Sequence, residues 1–358
     1  SSMEEIGEGL AYDKFENQEA LTAMHNRILS EYNDSNAAMD LVLFNDAMQH
    51  VARIARVVGV ATGHALLVGL GGSGRQSLSR LAAFVMGQAV SQITISGTYG
   101  MNELKGDLVK MYQRAGVKDE GVMFLFTDAQ ITMEKFLVYL NDLLSSGDIP
   151  DLFPTEDDKA PIRNAVTSAA KAAGVTPTVE NIWDFFIGRI KKNLHMSICF
   201  SPVGDDMRNR ARKFPALVTC TVIDWFQPWP EDALYKVGQK FLADVEELDS
   251  EEGLRASIEE FLPTTFAQVQ KLSAEYQQTE RRHAYVTPKS FLECVKLYLG
   301  KVASEIEKRD TQKDALSSGL QKLMATEESV SGLKEDLAAK SVVVAAKVAE
   351  ADKIATVV

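Results

Sequence analysis

The sequence predicts an α/β protein, a three-layer sandwich around a parallel sheet, followed by a small all-helical domain and a long coiled-coil helix. Apolar strand patterns alternate with helical patterns between residues 36 and 230, as in sheets whose strands are joined by crossover helices. The strand pattern then stops, and residues 301–358 are free of proline and rich in charge. We expect a lead-in segment at 1–35, a large α/β nucleotide-binding domain at 36–230, a small helical domain at 231–300 and a projecting helix at 301–358.

Short apolar runs predict the strands, and apolar residues at helical spacing predict the helices between them. The run at 122–127 is almost entirely apolar, which is typical of a central strand covered on both faces. The expected strands are 65–68, 92–95, 122–127, 195–200 and 219–223. The expected helices are 41–58, 76–86, 104–115, 136–144, 182–192, 231–242, 257–261, 266–280 and 288–299. Residues 147–178 are interpreted as an insertion near the site.

Composition argues against several classes of function. The 358 residues are 46% hydrophobic and 25% charged, which are ordinary values for a globular protein. The formal net charge of -12 argues against a general nucleic-acid binder. No apolar run reaches the length of a membrane span, and no signal peptide is visible. The three cysteines are far apart, which argues against a zinc site. The periodic pattern continues to the last residue, so we expect a segment of a longer protein.

A glycine-rich turn after the first strand is the strongest functional signal. Gly69 and Gly74 have the spacing of the phosphate-loop template G-x-x-x-x-G-K-[S/T], in which backbone N–H groups cradle a phosphate. Arg75 replaces the lysine and Gln76 replaces the hydroxyl that ligates Mg²⁺, while Ser77 lies one position further around the helix. The alternative is a turn that only packs a helix against a sheet. The candidate nucleotide-binding residues here are Gly69, Leu70, Gly71, Gly72, Ser73, Gly74, Arg75, Gln76 and Ser77.

Asp128 follows the strand at 122–127 and is a second candidate binding residue. In nucleoside triphosphatases, such an aspartate holds the water shell of the bound Mg²⁺ ion. Gln76 and Asp128 together therefore predict a weak magnesium site. The next residue is Ala129, where a hydrolysing enzyme carries the glutamate that activates water. Loss of a general base costs about two to four orders of magnitude in rate. We therefore assign no catalytic residue and expect nucleotide binding with very slow or absent turnover.

The strand at 195–200 ends at Ser201-Pro202. A serine hydroxyl at this strand end can contact the last phosphate of a bound nucleotide. Ser-Pro after a strand is also common turn chemistry, so both interpretations of Ser201 stand.

Apolar residues recur at strict seven-residue intervals in the last part of the chain, which predicts a coiled-coil seam. The companion series beginning at Leu320 is only half apolar. A lone helix with such a seam needs a partner helix, and the alternative is a long surface helix on the same domain. The seam residues are Leu316, Leu323, Val330, Leu337, Val344, Ala351 and Val358.

Taken in order, residues 69–78, 124–128 and 216–226 closely resemble a dynein heavy chain. More narrowly, they resemble the fourth AAA+ module of an axonemal-type chain, which leads into the first helix of the stalk as residues 301–358 would. The resemblance implies an AAA+ P-loop fold, ATP or ADP as ligand with or without Mg²⁺, and a place in the axoneme of a cilium or flagellum. It implies neighbouring AAA+ modules, a second stalk helix and a microtubule as partners, with no nucleic acid and no membrane.

The same resemblance implies roles for single residues. Ser201 stands where many AAA+ proteins carry a first sensor asparagine, and Lys289 stands where many carry a second sensor arginine. Cys220 stands where the family's finger arginine is expected, and the adenine would lie between residues 41–44 and the helical domain. The expected function is a motor-ring module that binds ATP or ADP with little or no hydrolysis and couples the ring to the stalk. The alternatives are a slow active ATPase module and a nucleotide-free structural scaffold of the ring.

Overall fold

The computed structural model describes residues 17–249 and 252–355, which fall into two units divided between Leu292 and Glu293. Among these residues, the strands are β1 Ala65–Val68, β2 Ala89–Ser91, β3 Val122–Thr127, β4 Leu194–Phe200 and β5 Val222–Trp225. The helices are α1 Gln18–Ser35, α2 Asn45–Val58, α3 Arg75–Val85, α4 Met101–Tyr112, α5 Phe136–Ser146, α6 Glu156–Ala172, α7 Val179–Asn193, α8 Asp206–Lys213, α9 Ala216–Thr219, α10 Glu231–Leu242, α11 Leu254–Glu280 and α12 Pro288–Ala355.

The five strands form one parallel sheet in the order β2-β3-β4-β1-β5. One face packs on α4–α7 through side chains such as Phe124 and Ile198. The other face packs on α1–α3 through side chains such as Leu67 and Leu125. All residues of β3 and β4 are buried, because helices cover both faces of a parallel sheet. The predicted three-layer α/β architecture with a parallel sheet is confirmed.

The lead-in segment expected at 1–35 is described only from residue 17. There α1 packs on the α/β core: the Tyr32 ring meets the Phe84 ring edge-on, with 5.4 Å between centroids. Asn17 caps α1 by accepting the N–H of Ala20 at 2.8 Å. In the described part, this segment contributes a helix to the same core as the phosphate loop's helix.

Two of the five predicted strands are misplaced. In place of the strand expected at 92–95, the structure has β2, Ala89–Ser91. The Gln130 side chain donates a 2.6 Å hydrogen bond to the Ile93 carbonyl, and this contact replaces strand pairing at Ile93. The strand expected at 219–223 begins only at Val222. Before it, α9 closes with a hydrogen bond from the Cys220 N–H to the Ala216 carbonyl.

Several predicted helices have different limits. The helix expected at 41–58 begins at Asn45, and the one expected at 104–115 is α4, continued by a π-helical turn, Gln113–Val117. The segment interpreted as an insertion contains α6, which packs into the core through Val166. The two helices expected at 257–280 are the single helix α11, which runs through Pro263. No helix of the described residues combines the length and apolar character of a membrane span.

The second unit is described as a helix throughout residues 293–355. At a rise of about 1.5 Å per residue, it extends about 95 Å. The described leucines and valines of the predicted seam are all exposed, from 44% at Val330 to 75% at Leu316, and Val358 lies outside the described residues. The apolar series thus forms an exposed stripe on this unit, as expected of one half of a coiled coil.

Two buried histidines lie at the amino ends of the central strands, opposite the phosphate loop. His64 accepts the Met196 N–H on Nδ1 at 3.1 Å, which requires that nitrogen to be unprotonated. Burial, with a smaller effect of nearby His195, lowers the pKa of His64 to about 4. The ring nitrogens of His195 face the carbonyls of Gly63 and Lys192 at 2.9 and 3.0 Å. Burial nevertheless lowers the pKa of His195 below its ordinary value.

This geometry predicts that acid destabilises the fold through His64. Its folded pKa lies below the unfolded value near 6.5, so the unfolded chain binds more protons between the two, and stability is lost as pH falls from about 6.5 towards 4. We expect a loss of about 2 kcal/mol between about pH 6.5 and 4.5 from this residue. Urea unfolding across that range measures it. His64→Asn retains an acceptor without titrating and should remove that share of the slope; an unchanged slope would contradict the assignment.

Candidate nucleotide-binding site

The turn between β1 and α3 has the backbone shape of a phosphate loop. Gly72 and Gly74 have φ values of +83° and +90°, a left-handed conformation that favours glycine. The Gly69 N–H donates to the Phe200 carbonyl at 3.1 Å, which anchors the loop to the end of β4. Gly71 is exposed, and a Cβ built on it would have no atom within 4 Å. The first turn of α3 therefore comes directly after a preformed glycine loop. This is the arrangement in which the N–H groups at the start of a helix bind an anion.

Two cavities meet at this loop and share Ser73, Trp225 and Phe226 in their walls. Their volumes are about 170 and 240 Å³. Ser73 is only 6% exposed, and its Oγ has no hydrogen-bond partner in the part of the chain that the structure describes. A buried hydroxyl without a partner is costly, so this atom fits a ligand oxygen. The observation favours a phosphate-bearing ligand beside the loop.

Residues 41–44, which were predicted to lie beside the adenine, reach the smaller of the two cavities. Phe44 lines it and meets the Trp229 ring edge-on, with 5.6 Å between ring centroids. The Leu41 carbonyl accepts a 2.9 Å hydrogen bond from Lys240 of α10. The segment at 41–44 is thus tied to the first helix after the α/β core, beside an aromatic wall suited to a purine ring.

Sequence reasoning missed the residues on the α2 side of the cavity. His50 stacks on Phe226 with 3.8 Å between ring centroids, and its Nδ1 donates a 2.6 Å hydrogen bond to a carboxylate oxygen of Asp224. Arg53 makes an ion pair with the other oxygen of Asp224 at 3.2 Å. The Trp-Phe-Gln-Pro-Trp-Pro run that begins at Trp225 was a usable signal, because its aromatic and proline residues form one wall. The His50–Asp224 pair joins residues 174 positions apart and had no local signal.

Arg75, the residue at the lysine position, points its guanidinium at backbone carbonyls. One terminal nitrogen donates to Phe200 at 2.5 Å and the other to Leu70 at 3.3 Å. The charge therefore bridges the loop and the end of β4. Its planar fork makes this possible, because a compact ammonium lacks two parallel donors.

The candidate magnesium ligands, Asp128 and Gln76, accept hydrogen bonds from other groups of the chain. The two carboxylate oxygens of Asp128 accept the N–H groups of Ala129 and Ser201 at 2.9 and 2.8 Å. The Gln76 amide oxygen accepts from Gln92 at 3.2 Å. Among residues 17–249 and 252–355, no group of three His, Cys, Asp or Glu side chains is placed to hold a metal. Mg²⁺ at nucleotide sites is usually held by one or two protein ligands together with phosphate oxygens and water, and each of these oxygens keeps a further lone pair, so Asp128 and Gln76 stay the predicted ligands of a weak magnesium site.

The position after Asp128 offers no general base. Ala129 is exposed, and Gln130 is buried with both amide atoms engaged, accepting from Thr127 and donating to Ile93. Gln130 is therefore a structural residue of the turn. Burial raises the pKa of the nearby Cys199 thiol to about 12, with Arg75 opposing and Asp128 adding to the rise. The thiol stays neutral, so it is not a nucleophile.

The remaining predicted residues lie at the rim of the loop. Ser77 is half-buried in the first turn of α3. The Ser201 hydroxyl accepts the Val203 N–H at 3.3 Å, a turn contact. Lys289 lies against the loop: a Cβ built on Gly72 would be 2.7 Å from its Cα and 2.6 Å from its Cβ. The start of α12 therefore touches the phosphate loop directly.

Comparison with known families agrees with this arrangement. The family model described as "P-loop containing dynein motor region D4" matches residues 39–300. The chain belongs to this dynein motor family. The match spans the phosphate loop, the sheet and the helices from α2 to the beginning of α12.

Three curated relatives of this dynein motor region are far longer than the chain. It is 50% identical over 342 residues to the dynein alpha chain of the flagellar outer arm of Chlamydomonas reinhardtii, covering 96% of this chain and 8% of that protein. It is 47% identical over 337 residues to the ciliary dynein beta chain of Heliocidaris crassispina, covering 93% and 8%. It is 45% identical over 331 residues to human dynein axonemal heavy chain 17, covering 92% and 7%. The chain thus spans less than a tenth of the length of these relatives.

Proposed function

We propose that this dynein motor region binds ATP or ADP with little or no hydrolysis and couples a motor ring to a stalk. The observation that carries the binding proposal is that Ser73 lines both cavities beside the glycine loop and that its buried hydroxyl has no partner among the described residues. A nucleotide would be held by the loop N–H groups and Ser73, with its base towards Phe44 and Trp229. The domain limits given from the sequence, 36–230 and 231–300, remain part of this proposal.

Slow turnover is supported by the residues at the end of β3. A bound nucleotide supplies a phosphoanhydride bond, and cleavage needs a base that activates water. Ala129 has no such group, and Gln130 is buried in the turn. The site can therefore bind and orient phosphates while it lacks the residue that would remove a proton from water. A slow ATPase is the alternative; phosphate release that is abolished by Asp128→Ala would favour it.

Coupling to a stalk is supported by the position of α12. Its second residue, Lys289, lies against Gly72 of the phosphate loop, and the same helix continues to Ala355 with an exposed apolar series. A change in the loop can therefore act on the first turn of this helix. We propose a second stalk helix as the partner of the stripe, neighbouring AAA+ modules as partners of the ring, and a microtubule beyond the stalk. The relatives are named flagellar outer-arm, ciliary and axonemal dyneins, which supports the axoneme of a cilium or flagellum as the location of this assembly.

Calorimetric titration of the chain with ADP and with ATP tests nucleotide binding. Ser73→Ala should weaken binding about tenfold, because a hydrogen bond to a charged group is lost, while folding stability stays equal or rises. Ser79→Ala is the matched control. Ser79 bonds the Ser197 hydroxyl at 2.7 Å and the Arg75 carbonyl at 2.8 Å, so its loss should lower stability and leave affinity unchanged. No heat with either nucleotide would instead support the nucleotide-free scaffold.

A further inference from the structure

A third cavity lies at the amino ends of the central strands, opposite the phosphate loop. This amino-end cavity is lined by His64 before β1, Lys191 in the last turn of α7, Cys220 before β5 and the carboxyl end of α5. Its volume is about 250 Å³, just below the range of about 300–1,000 Å³ that is usual for drug-sized ligands. The cavity can therefore hold a small organic molecule.

His64 offers a buried N–H group to the amino-end cavity. The residue is only 5% exposed, and its Nδ1 accepts the Met196 N–H at 3.1 Å. The proton of the neutral ring is therefore on Nε2. Within the part of the chain that the structure describes, Nε2 has no hydrogen-bond partner. A buried donor without a partner is costly, so this N–H fits an acceptor atom of a ligand.

Lys191 brings a positive charge to the same cavity. The Thr62 N–H donates to the Lys191 carbonyl at 2.7 Å, which holds the end of α7 beside the residues before β1. The Lys191 stem lies over Gly147, where an added Cβ would be 3.0 Å from its Cγ and 3.2 Å from its Cε. Its ammonium forms no ion pair with the described residues, and none of those that line the cavity is acidic. The local charge therefore favours an anion.

The rest of the lining restricts the kind of anion. The hydroxyls of Thr62, Ser145 and Ser146 donate to backbone carbonyls of the chain, so their protons are already used. A ligand thus meets one neutral N–H, one ammonium and an aliphatic surface. The aliphatic walls are formed by Leu143, Leu144, Ile190 and Leu194.

We propose that the amino-end cavity binds a small organic carboxylate with an aliphatic body. One carboxylate oxygen accepts the Nε2–H of His64, the other pairs with the Lys191 ammonium, and the aliphatic body lies on the leucine and isoleucine walls. A phosphate group fits less well, because it carries up to about two charges and several strong acceptor oxygens, most of which would face apolar side chains. This site is separate from the proposed nucleotide site and does not depend on it.

Ligand-observed NMR titration of the chain with butyrate and with isovalerate tests the proposal. We expect dissociation constants on the order of 1 mM, as befits ligands of so few atoms. Isovaleramide has the same shape without the charge, and we expect it to bind at least about tenfold more weakly, because the charge-assisted contacts are lost. If neither acid bound, or if the amide bound as tightly as isovalerate, the proposal would be wrong.

Three variants locate the bound acid. Lys191→Met keeps the stem without the charge, and His64→Asn keeps an acceptor for Met196 without a donor at Nε2; each should weaken isovalerate binding at least about tenfold. Lys192→Met is the matched control, because Lys192 is the next, exposed lysine and does not line the cavity. It should keep the wild-type affinity. Lys191 is also exposed, so its variant tests the site even if His64→Asn folds poorly. Wild-type affinity in Lys191→Met would overturn the assignment.

Alkylation of the cysteines by iodoacetamide gives a second, site-specific readout. Half-buried Cys220 lines the cavity, whereas Cys294 is exposed elsewhere. Saturating isovalerate should slow modification of Cys220 at least about threefold by blocking access, and it should leave Cys294 unchanged. Peptide mass spectrometry measures both rates in one sample. An unchanged Cys220 rate under saturating acid would place the ligand outside this cavity and contradict the proposal.

Discussion

Gly72→Ala should lower the free energy of unfolding by about 2 kcal/mol and weaken ADP binding by at least about tenfold. The φ of +83° at Gly72 costs an L-residue about 1–2 kcal/mol. The added Cβ would also lie 2.7 Å from the Lys289 Cα, and forced overlap of this kind typically costs about 1–3 kcal/mol. Because the clash is with backbone rather than a flexible side-chain end, either the loop or the start of α12 must move.

Gly71→Ala is the matched control in the same loop. A Cβ at Gly71 meets no atom within 4 Å, and its φ is not in the left-handed region. We expect its unfolding free energy to stay within about 0.5 kcal/mol of wild type, the range of ordinary surface changes. Urea unfolding and calorimetry of both variants give the comparison. If Gly72→Ala kept wild-type stability and affinity, the contact between the phosphate loop and Lys289 would not exist in solution.

The central sheet was predictable because its strands are short apolar runs between helical patterns. Residues 65–68 and 122–127 were placed correctly, since nearly every side chain in them is apolar and both faces are covered. The edge strands were harder. Residues 92–95 have a strand-like alternation, yet Gln130 holds the Ile93 carbonyl, and a tertiary hydrogen bond of that kind leaves no pattern in the sequence.

The candidate site divides in the same way. The glycine spacing at 69–74 predicts the loop. The residue type at the single position 129, an alanine, predicts that no general base follows Asp128. The partners of Arg75 could not be predicted, because Phe200 lies 125 residues away. The contact of Lys289 with Gly72 joins segments that are still further apart. Sequence motifs therefore identified which groups the site contains, while the long-range contacts decide which of them are available to a ligand.

The largest change in activity is expected from the triple variant Arg75→Lys, Gln76→Thr, Ala129→Glu. It restores the lysine and hydroxyl of the phosphate-loop template and adds a carboxylate at an exposed position with room for it. A positioned general base contributes about 10²–10⁴-fold in rate, so we expect phosphate release from ATP to rise by at least about 100-fold. Steady-state phosphate release measures this effect.

Ala129→Glu alone is the decisive comparison for that experiment. The new carboxylate would sit beside an Arg75 that still bridges Leu70 and Phe200 and an Asp128 that still accepts two backbone N–H groups. We therefore expect less than about a tenth of the triple variant's gain, since a base acts only on a correctly held phosphate and water. A single variant as fast as the triple would show that the glutamate was the sole missing group. The Arg75 bridge would then have no part in suppressing hydrolysis.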